Sequence, residues 1–255
     1  LAYARWLTSG SHPLVSRVLV NRVWMHHFGR GIVNTPGDFG YLGVRPTHPE
    51  LLDWLASEFV EQGWSLKKLH RLMMLSTAYR QQSTRSPEKD AVDADNELLS
   101  RMAMRRLDAE SLRDAILVIN KKYNSHRYGP PVPVMADKVG QFVIGIENLN
   151  AGRPGAVLPM KGEDFRRSVY VQVRRSRPLG MLGVFDAAIL EPNCTQRTQS
   201  TVTPQALMMM NGRFVRTQSI YLAEQIQREA GRDLAPQVKQ AWQLVYSRTA
   251  GEREL

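Results

Sequence analysis

The sequence of 255 residues contains a single cysteine, Cys194. One thiol can form neither an intramolecular disulfide nor a thiolate metal cluster. Long apolar runs are missing as well, because the longest, Ala115–Ile119 and Ala206–Met210, have five residues each. A helix that crosses a membrane needs about 20 apolar residues. We therefore expect no membrane span and no cysteine-based metal centre.

Motifs of common catalytic and cofactor sites are also absent. The sequence has no Walker A loop, no Gly-x-Ser-x-Gly elbow and no Cys-x-x-Cys-His haem attachment motif. Its six histidines include no His-Glu-x-x-His motif. The adjacent His26 and His27 would point about 100° apart on a helix. The sequence therefore predicts no metal and no cofactor within this chain.

Acidic residues are fewer than basic ones, at 24 against 34, so the net charge is +10. The excess is partly local, because residues 153–177 hold seven basic and two acidic side chains. A solvated basic face and a docking surface for a polyanion both fit this pattern. The expected ligand of such a surface is an acidic glycan or a protein partner. Nucleic acid is not expected as a partner, because only the charge speaks for it and no recognition motif occurs.

The pattern of apolar residues and helix caps indicates a mainly α fold with six or seven helices, a small β-sheet and one irregular insertion. The insertion covers residues 120–165, which are rich in glycine and proline. The clearest helices are predicted to end at Gly29 and Gly63, to start after Ser65 and Asp233, and to cover residues 95–119 and 203–230.

The best β signal lies between Arg167 and Arg175, where apolar and polar residues alternate. This alternation predicts a half-buried strand with Val169, Val171 and Val173 facing the core. A second short strand is predicted within the insertion, at Gln141–Ile146.

Helical patterns reach the first and the last residues of the chain, and the chain does not begin with methionine. We therefore expect residues 1–255 to be one module excised from a larger protein.

Two polar residues, Asn21 and Arg22, interrupt an otherwise apolar helix directly before a loop with five glycines and two prolines, residues 29–46. Such a loop cannot pack itself, and its backbone groups need partners. We expect both side chains to anchor the loop by hydrogen bonds, with Asp38 as the charged partner.

A second group of polar residues centres on the predicted helix 95–119, where charges recur at spacings i, i+4 and i+7. An unpaired polar group costs about 1–3 kcal/mol when it is buried, so each of these side chains needs a partner. The candidate polar cluster consists of Arg106, Glu110, Arg113, Asp114, Arg167, Cys194 and Arg197.

Two interpretations of this cluster remain open. If it is structural, it pins irregular loops to the core, and replacing Glu110 with alanine should destabilise the protein by about 3–5 kcal/mol, as expected for breaking a buried ion pair. If it is a ligand site, the same change should cost little stability, and an anion should occupy the cluster.

Cys194 also allows two interpretations. Arg197, three residues later, could favour a reactive thiolate, and a histidine brought close by the fold would complete a thiol catalyst. Free cysteine is, however, among the most buried residue types. We therefore predict that Cys194 is a buried side chain that labels slowly in the native protein.

Several blocks of the sequence together resemble one known family, and they extend over nearly the whole chain. The blocks are Asn21-Arg22-Val23-Trp24, Phe28-Gly29-Arg30-Gly31, Asp38-Phe39-Gly40, Thr47-His48-Pro49-Glu50, Gly63-Trp64-Ser65-Leu66-Lys67, Ser76-Thr77-Ala78-Tyr79-Arg80-Gln81, Arg105-Arg106-Leu107-Asp108-Ala109-Glu110, Arg113-Asp114-Ala115, Arg167-Ser168-Val169-Tyr170, Cys194-Thr195-x-Arg197 and Thr203-Pro204-Gln205-Ala206-Leu207. They resemble the planctomycete-specific C-terminal domain of unknown function that accompanies planctomycete cytochrome c modules.

This resemblance implies a large secreted or cell-envelope protein with an N-terminal signal and, commonly, an upstream haem-binding cytochrome c segment. Any haem would then lie on a separate segment, outside this chain. The resemblance implies no reaction and no catalytic residues.

The interpretation that the sequence favours is a non-catalytic binding or scaffolding module of an exported multidomain protein, which docks an acidic glycan or a protein partner. The alternative is an enzyme acting on polysaccharide, with a polar pocket built from the arginines and Glu110 of the candidate cluster.

Overall fold

The computed structural model describes residues 1–153, 155–188 and 194–255. Within these residues the chain forms ten α-helices and two small β-sheets, which confirms the predicted mainly α fold. The chain folds into two compact units, Leu1–Arg105 and Arg106–Leu255. No helix in the described ranges is both long and apolar enough to cross a membrane.

The regular elements of the first unit are all α-helices. Its elements are α1 (Ala2–Leu7), α2 (Val15–Phe28), α3 (Pro49–Glu61), α4 (Leu66–Leu75) and α5 (Pro87–Val92).

Local chemistry sets the ends of these helices. The imidazole Nδ1 of His12 accepts hydrogen bonds from the backbone N–H groups of Leu14 and Val15, at 3.1 and 3.3 Å. Gly29 ends α2 with φ = 86°, a left-handed conformation that favours glycine. Ser65 caps α4 as predicted, because its hydroxyl accepts from the N–H of Lys68. The predicted helices ending at Gly29 and Gly63 therefore form.

The core of the first unit is built by α2, α3 and α4 at helical spacing. Each helix buries one apolar stripe, and the loop after α2 adds two more side chains. The buried residues are Val20, Val23, Trp24, Phe28, Ile32, Val33, Leu52, Leu55, Phe59, Leu69 and Met73.

The predicted long helix over 95–119 is wrong for its first half. Asn96 and Leu99 both have φ = 54°, which no α-helix allows. The carboxylate of Asp93 accepts from the N–H groups of Glu97 and Leu98, both at 2.8 Å. Side-chain to backbone bonds of this kind compete with helix formation, so the segment folds into turns. Only its second half, α6 (Ala109–Ile119), is helical.

In its described residues the second unit contains five α-helices and two hairpins. The helices are α6, α7 (Gly180–Val184), α8 (Thr203–Asn211), α9 (Arg213–Ala230) and α10 (Leu234–Tyr246), and the strands are β1 (Val134–Ala136), β2 (Phe142–Ile144), β3 (Ile146–Glu147) and β4 (Val157–Leu158). The helix predicted over 203–230 is interrupted at Gly212, whose backbone is extended with ψ = 128°.

The predicted insertion, residues 120–165, contains both hairpins. β1 pairs antiparallel with β2, and β3 pairs antiparallel with β4. The strand predicted at Gln141–Ile146 corresponds to β2 and the first residue of β3. Within the insertion, Pro154 lies outside the described residues.

The strand predicted at Arg167–Arg175 is wrong. Ser168–Tyr170 forms a turn of 3-10 helix, and only Val171 joins a bridge, to Val132. Val171 is buried as expected, but Val169 and Val173 are 68% and 70% exposed. The alternation fails because a strand needs a partner along its whole length, and this segment has one at a single residue.

Val171 nevertheless helps to build a core. It packs with Val132, Val134 and Leu179, so residues of β1 and the segment before α7 share one apolar cluster. A second cluster, made by Ala109, Met181 and Phe185, joins α6 to α7. The apolar contacts of α6 therefore fix the helix that carries Glu110, Arg113 and Asp114 of the candidate cluster.

Candidate functional site

Arg113 of α6 is the most buried member of the candidate cluster, with 1% of its surface exposed. Its guanidinium donates to the carbonyl oxygens of Arg166 at 2.9 Å and Asp164 at 2.7 Å, and to the Ser168 hydroxyl at 3.2 Å. Burial lowers its pKa to about 10, although Asp114 and Asp164 oppose this effect. The side chain therefore remains charged at neutral pH and is used to hold backbone.

Asp114, the next residue on α6, contacts the same segment. Its Oδ1 accepts from the backbone N–H and from the hydroxyl of Ser168, both at 2.7 Å. Its Oδ2 lies 3.6 Å from Nε of Arg167, whose side chain is 57% exposed. Arg167 therefore joins the cluster through Asp114, as predicted, but at the solvent-exposed edge.

A second buried arginine, Arg166, was not predicted. It is 1% exposed and donates to the carbonyl oxygens of Tyr128 and Pro130 and to Glu163, and its guanidinium lies 4.3 Å from the centre of the Tyr170 ring. The sequence shows two adjacent arginines and does not distinguish the buried one. Tyr128 and Pro130 lie near the start of the insertion, so Arg166 holds its two ends together.

Glu110 and Arg197 form a two-pronged ion pair, with N–O distances of 2.6 and 3.2 Å. Each side chain is about one-third exposed, at 32% for Glu110 and 34% for Arg197. Burial opposes ionisation of Glu110, but the hydrogen bonds from Arg197 lower its pKa below the ordinary value. The same bonds raise the pKa of Arg197. This pair connects α6 to the segment that follows Cys194.

Replacing Glu110 with glutamine should destabilise the protein by about 1–2 kcal/mol at neutral pH, as expected for charge-assisted hydrogen bonds that are partly exposed to solvent. This is less than the 3–5 kcal/mol expected for a fully buried pair. Because the folded pKa lies below the unfolded value near 4.5, the stabilisation is complete above that value and is lost as pH falls through the folded pKa. Urea unfolding of the wild type and the variant at pH 7 and pH 3 measures the difference in their free energies of unfolding. If this difference is the same at both pH values, the stabilisation does not come from the ionised Glu110.

Arg106 makes a third polar connection in the second unit. It donates to the carbonyl of Ser200, to Gln205 Oε1 at 2.7 Å and to Thr201 Oγ1 at 2.9 Å. Asp186 accepts from the backbone N–H of Ser200 at 2.7 Å and from its hydroxyl, and these bonds lower the pKa of Asp186. Arg106 therefore holds the start of α8 and makes no ion pair with Glu110 in the described residues.

Cys194 is exposed, so the predicted burial is wrong. Its Sγ donates to the carbonyl of Gln196 at 3.2 Å. The neighbours that follow it are Thr195, Gln196 and Arg197, which are polar and keep the segment at the surface. The tendency of cysteine to be buried needs apolar neighbours, and this segment has none. The residues directly before it, 189–193, lie outside the described residues.

Because the thiol is exposed, Cys194 should label in the native protein about as fast as in the unfolded protein. The measurement is the rate of reaction with a disulfide reagent, with and without denaturant, at fixed pH. A native rate lower by about tenfold or more would show protection and contradict the exposed position.

The predicted loop anchors behave differently from one another. Asn21 is fully buried, and its side chain donates to the carbonyl of Val33 at 2.9 Å and accepts from the N–H of Val33 at 2.8 Å. This confirms the predicted contact with loop 29–46. Arg22 is exposed, and the predicted pair with Asp38 does not form, because Asp38 instead accepts from the N–H of Gly40 at 2.8 Å.

The contacts of the cluster show what its chemistry can be. Arg113 and Arg166 donate mainly to backbone carbonyls, and Arg106 donates to one carbonyl and two neutral side chains, so all three charges are directed at groups of the protein itself. A cavity of about 530 Å³ lies elsewhere, between the end of α9 and the start of α10, and is lined by Glu224, Gln227, Arg228, Gly231, Arg232 and Gln237. Across the residues with described structure, no three His, Cys, Asp or Glu side chains converge in a way that could hold a metal.

A family model matches residues 1–255, the whole of the chain. Its description is PSD1, protein of unknown function (DUF1553). The chain belongs to this family. No curated protein and no solved structure matches the chain. Membership in the PSD1 family thus assigns no reaction and no binding partner, and the interpretation of the site rests on the contacts described above.

Proposed function

We propose that this chain is a non-catalytic binding module that docks an acidic glycan through the exposed basic side chains of residues 153–177. The observation that supports the proposal is that the basic side chains of this segment differ in exposure. Arg166 is buried and holds the backbone, whereas Lys161, Arg167 and Arg177 are exposed. The exposed cations are those that a polyanion can reach.

The candidate cluster supports a structural role in the same way. A catalytic pocket needs polar groups that converge on an open space, with room for a substrate. Arg113 instead contacts three groups of the protein itself, and Glu110 contacts Arg197. These pairs favour a binding module, in which the charges hold the structure together. They speak against an enzyme that acts on polysaccharide.

The protein as a whole is proposed to be an exported multidomain protein of planctomycetes, on the resemblance described above. Haem is proposed only for a separate cytochrome c segment. In this chain the single cysteine, Cys194, has no second thiol beside it, so covalent haem attachment does not fit here.

Binding to polygalacturonate, with neutral dextran as a control, tests the glycan proposal. The wild-type protein should bind polygalacturonate, and the affinity should fall with added salt because exposed charges are screened. Replacing Lys161, Arg167 and Arg177 together with glutamine should weaken binding by about tenfold or more, which corresponds to about 1.4 kcal/mol.

A matched control removes the same number of charges elsewhere. Arg5, Arg22 and Arg71 are exposed in the first unit, and their replacement with glutamine should leave binding nearly unchanged. Equal losses in the two triple variants would mean that net charge alone drives binding, and would sink the proposed surface.

Incubation with the same polysaccharide also tests the rival enzyme. We expect no new reducing ends. Release of reducing ends by the wild-type protein, abolished in a Glu110→Gln variant that still folds, would favour the enzyme over the module.

A further inference from the structure

The loop between α2 and α3 presents two large apolar side chains to solvent. Tyr41 is 102% and Leu42 is 89% exposed, and Val44 is 54% exposed. No charged side chain occurs between Phe39 and Val44. Exposed apolar groups that lie together mark interaction sites more often than single exposed residues do. We refer to Tyr41, Leu42 and Val44 as the apolar tip.

The apolar tip stands on an ordered loop. The Thr35 hydroxyl donates to the carbonyl of Asp38 at 2.8 Å and accepts from the N–H of Val44 at 3.0 Å. A Cβ at Gly43 would lie 2.2 Å from the carbonyl oxygen of Asp38, so this close approach requires glycine. A loop held in this way loses little conformational entropy on binding, which favours docking into a shaped receptor.

The same unit also contains an apolar groove. It has a volume of about 290 Å³, near the lower end of the ~300–1,000 Å³ typical of ligand pockets. Its apolar side chains are Val92, which is 81% exposed, and Leu98, which is 67% exposed. Acidic side chains also line this groove, which lies next to α5, and we therefore call it the acidic groove. Its lining residues are Glu88, Lys89, Val92, Asp93, Leu98 and Ser100.

The charges around the two features are opposite in sign. Residues 86–98 contain five acidic side chains and one basic one, Lys89, whose Nζ donates to the carbonyl of Ser100 at 3.1 Å. Asp90 pairs with Arg85 and Arg101, and Glu97 pairs with Arg30, so the negative charge at the rim of the groove comes from Glu88 and Asp93. Residues 1–49 contain five arginines and one acidic side chain, Asp38, whose carboxylate accepts from Gly40. Arg45 directly follows the apolar tip and is exposed.

We propose that the apolar tip of one copy of this chain docks into the acidic groove of a second copy, with Arg45 facing the acidic rim. The tip of the same chain does not fill the groove, since Tyr41 and Leu42 are almost fully exposed. Tip and groove are different surfaces, so the contact is head-to-tail, and every complex that has not closed into a ring keeps a free tip at one end and a free groove at the other. Such contacts extend into rings or filaments.

Charge and shape favour a second copy over a membrane. Two or three apolar side chains give only weak attachment to a bilayer, since even one myristoyl chain binds marginally. Insertion into a bilayer also does not require an ordered loop, because a bilayer has no fixed shape that the loop must match. Opposite charges at Arg45 and at Glu88 and Asp93 steer one copy onto another and fix the register.

Sedimentation velocity of the whole chain over a concentration series, without glycan, tests this proposal. We expect the mean sedimentation coefficient to rise with concentration and the rise to shrink at high salt. A tip variant, Tyr41→Ser with Leu42→Ser, and a groove variant, Val92→Arg, should each weaken self-association by about tenfold or more. The matched control is Leu149→Ser, because Leu149 is 84% exposed in the other unit and should have no effect.

Mixing the two defective variants gives the sharpest result. The tip variant retains an intact groove and the groove variant retains an intact tip, so together they can form one contact. We expect a heterodimer that does not grow further, whereas each variant alone stays monomeric.

The proposal is overturned if the wild-type protein stays monomeric up to about 1 mM, the weakest contact that sedimentation would report. It is also overturned if self-association survives both variants, or if the mixture of variants does not associate. Binding of the wild-type protein to vesicles of anionic phospholipid, lost in the tip variant while self-association is absent, would assign the tip to a membrane. Failure of glycan binding bears on residues 153–177 alone and leaves this test unaffected.

Discussion

Replacing Arg113 with alanine is expected to destabilise the protein by about 3–5 kcal/mol. The change removes a guanidinium that is 1% exposed and that holds the carbonyls of Asp164 and Arg166 together with the Ser168 hydroxyl. It leaves these acceptors buried without a donor and leaves Asp114 with only the exposed Arg167 as a neighbouring cation, a situation in which the loss of one partner is costly. Urea unfolding followed by circular dichroism measures the difference.

Two further variants separate the geometry of Arg113 from its charge. Arg113→Lys keeps the charge but replaces the planar fork by one ammonium group, so it should recover less than half of the loss. Arg167→Ala removes an exposed arginine in the same cluster and should cost less than about 1 kcal/mol. A loss below about 1 kcal/mol for Arg113→Ala would show that the contacts to the insertion contribute little.

Replacing Asn21 with alanine should destabilise the first unit by about 2–4 kcal/mol. Asn21 is fully buried, and its amide satisfies both the N–H and the carbonyl of Val33, which is also buried. Without the amide both backbone groups lose their partner, at about 1–3 kcal/mol each. Gly31 lies so close that a Cβ there would be 2.9 Å from the Asn21 amide nitrogen, so water has little room to replace the side chain.

The neighbouring residue supplies the control. Arg22 is exposed on the same helix, and Arg22→Ala should change stability by less than about 0.5 kcal/mol. Asn21→Asp keeps the acceptor for the N–H of Val33 and loses the donor to its carbonyl, so its loss should be at least as large as that of alanine because it also buries a charge. Hydrogen exchange of the Val33 amide reports the local effect, and unchanged protection in Asn21→Ala would refute the anchor.

The helices around the first core could be predicted from the sequence because two independent signals agree there. Apolar residues recur at helical spacing, and Gly29 and Ser65 mark a helix end and a helix start. Asn21 could be assigned as a loop anchor for a related reason, since a polar residue on an apolar helix face needs a partner. Arg22 shows the limit of that argument, because one residue further along the helix the side chain points to solvent.

The errors concern segments where side chains compete with regular structure. The side chains of Asp93 and Asn96 form hydrogen bonds with nearby backbone groups. These bonds fold into turns a segment whose composition is typical of a helix. At Ser168, two hydrogen bonds to Asp114 pull the chain into a 3-10 turn and override the alternation of valines. Local patterns cannot contain this information, since Asp114 lies 54 residues away in the sequence.

The candidate cluster was partly predictable for the same reason. The helical spacing placed Glu110, Arg113 and Asp114 on one helix, and the need for partners grouped Arg167 and Arg197 with them in one cluster. The burial of Arg166 and the exposure of Cys194 depend on the path of the backbone, and no sequence pattern fixes that path.

The two ends of the insertion lie side by side. Arg166 bonds to the carbonyls of Tyr128 and Pro130, and Asn124 donates to the carbonyl of Gly162 at 3.1 Å. Once the ends of a loop are fixed, doubling its length costs only about 0.6 kcal/mol. The turn at 148–153, which follows β3, is therefore a place where residues can be added or removed while the helices stay intact, and where a reporter peptide could be inserted.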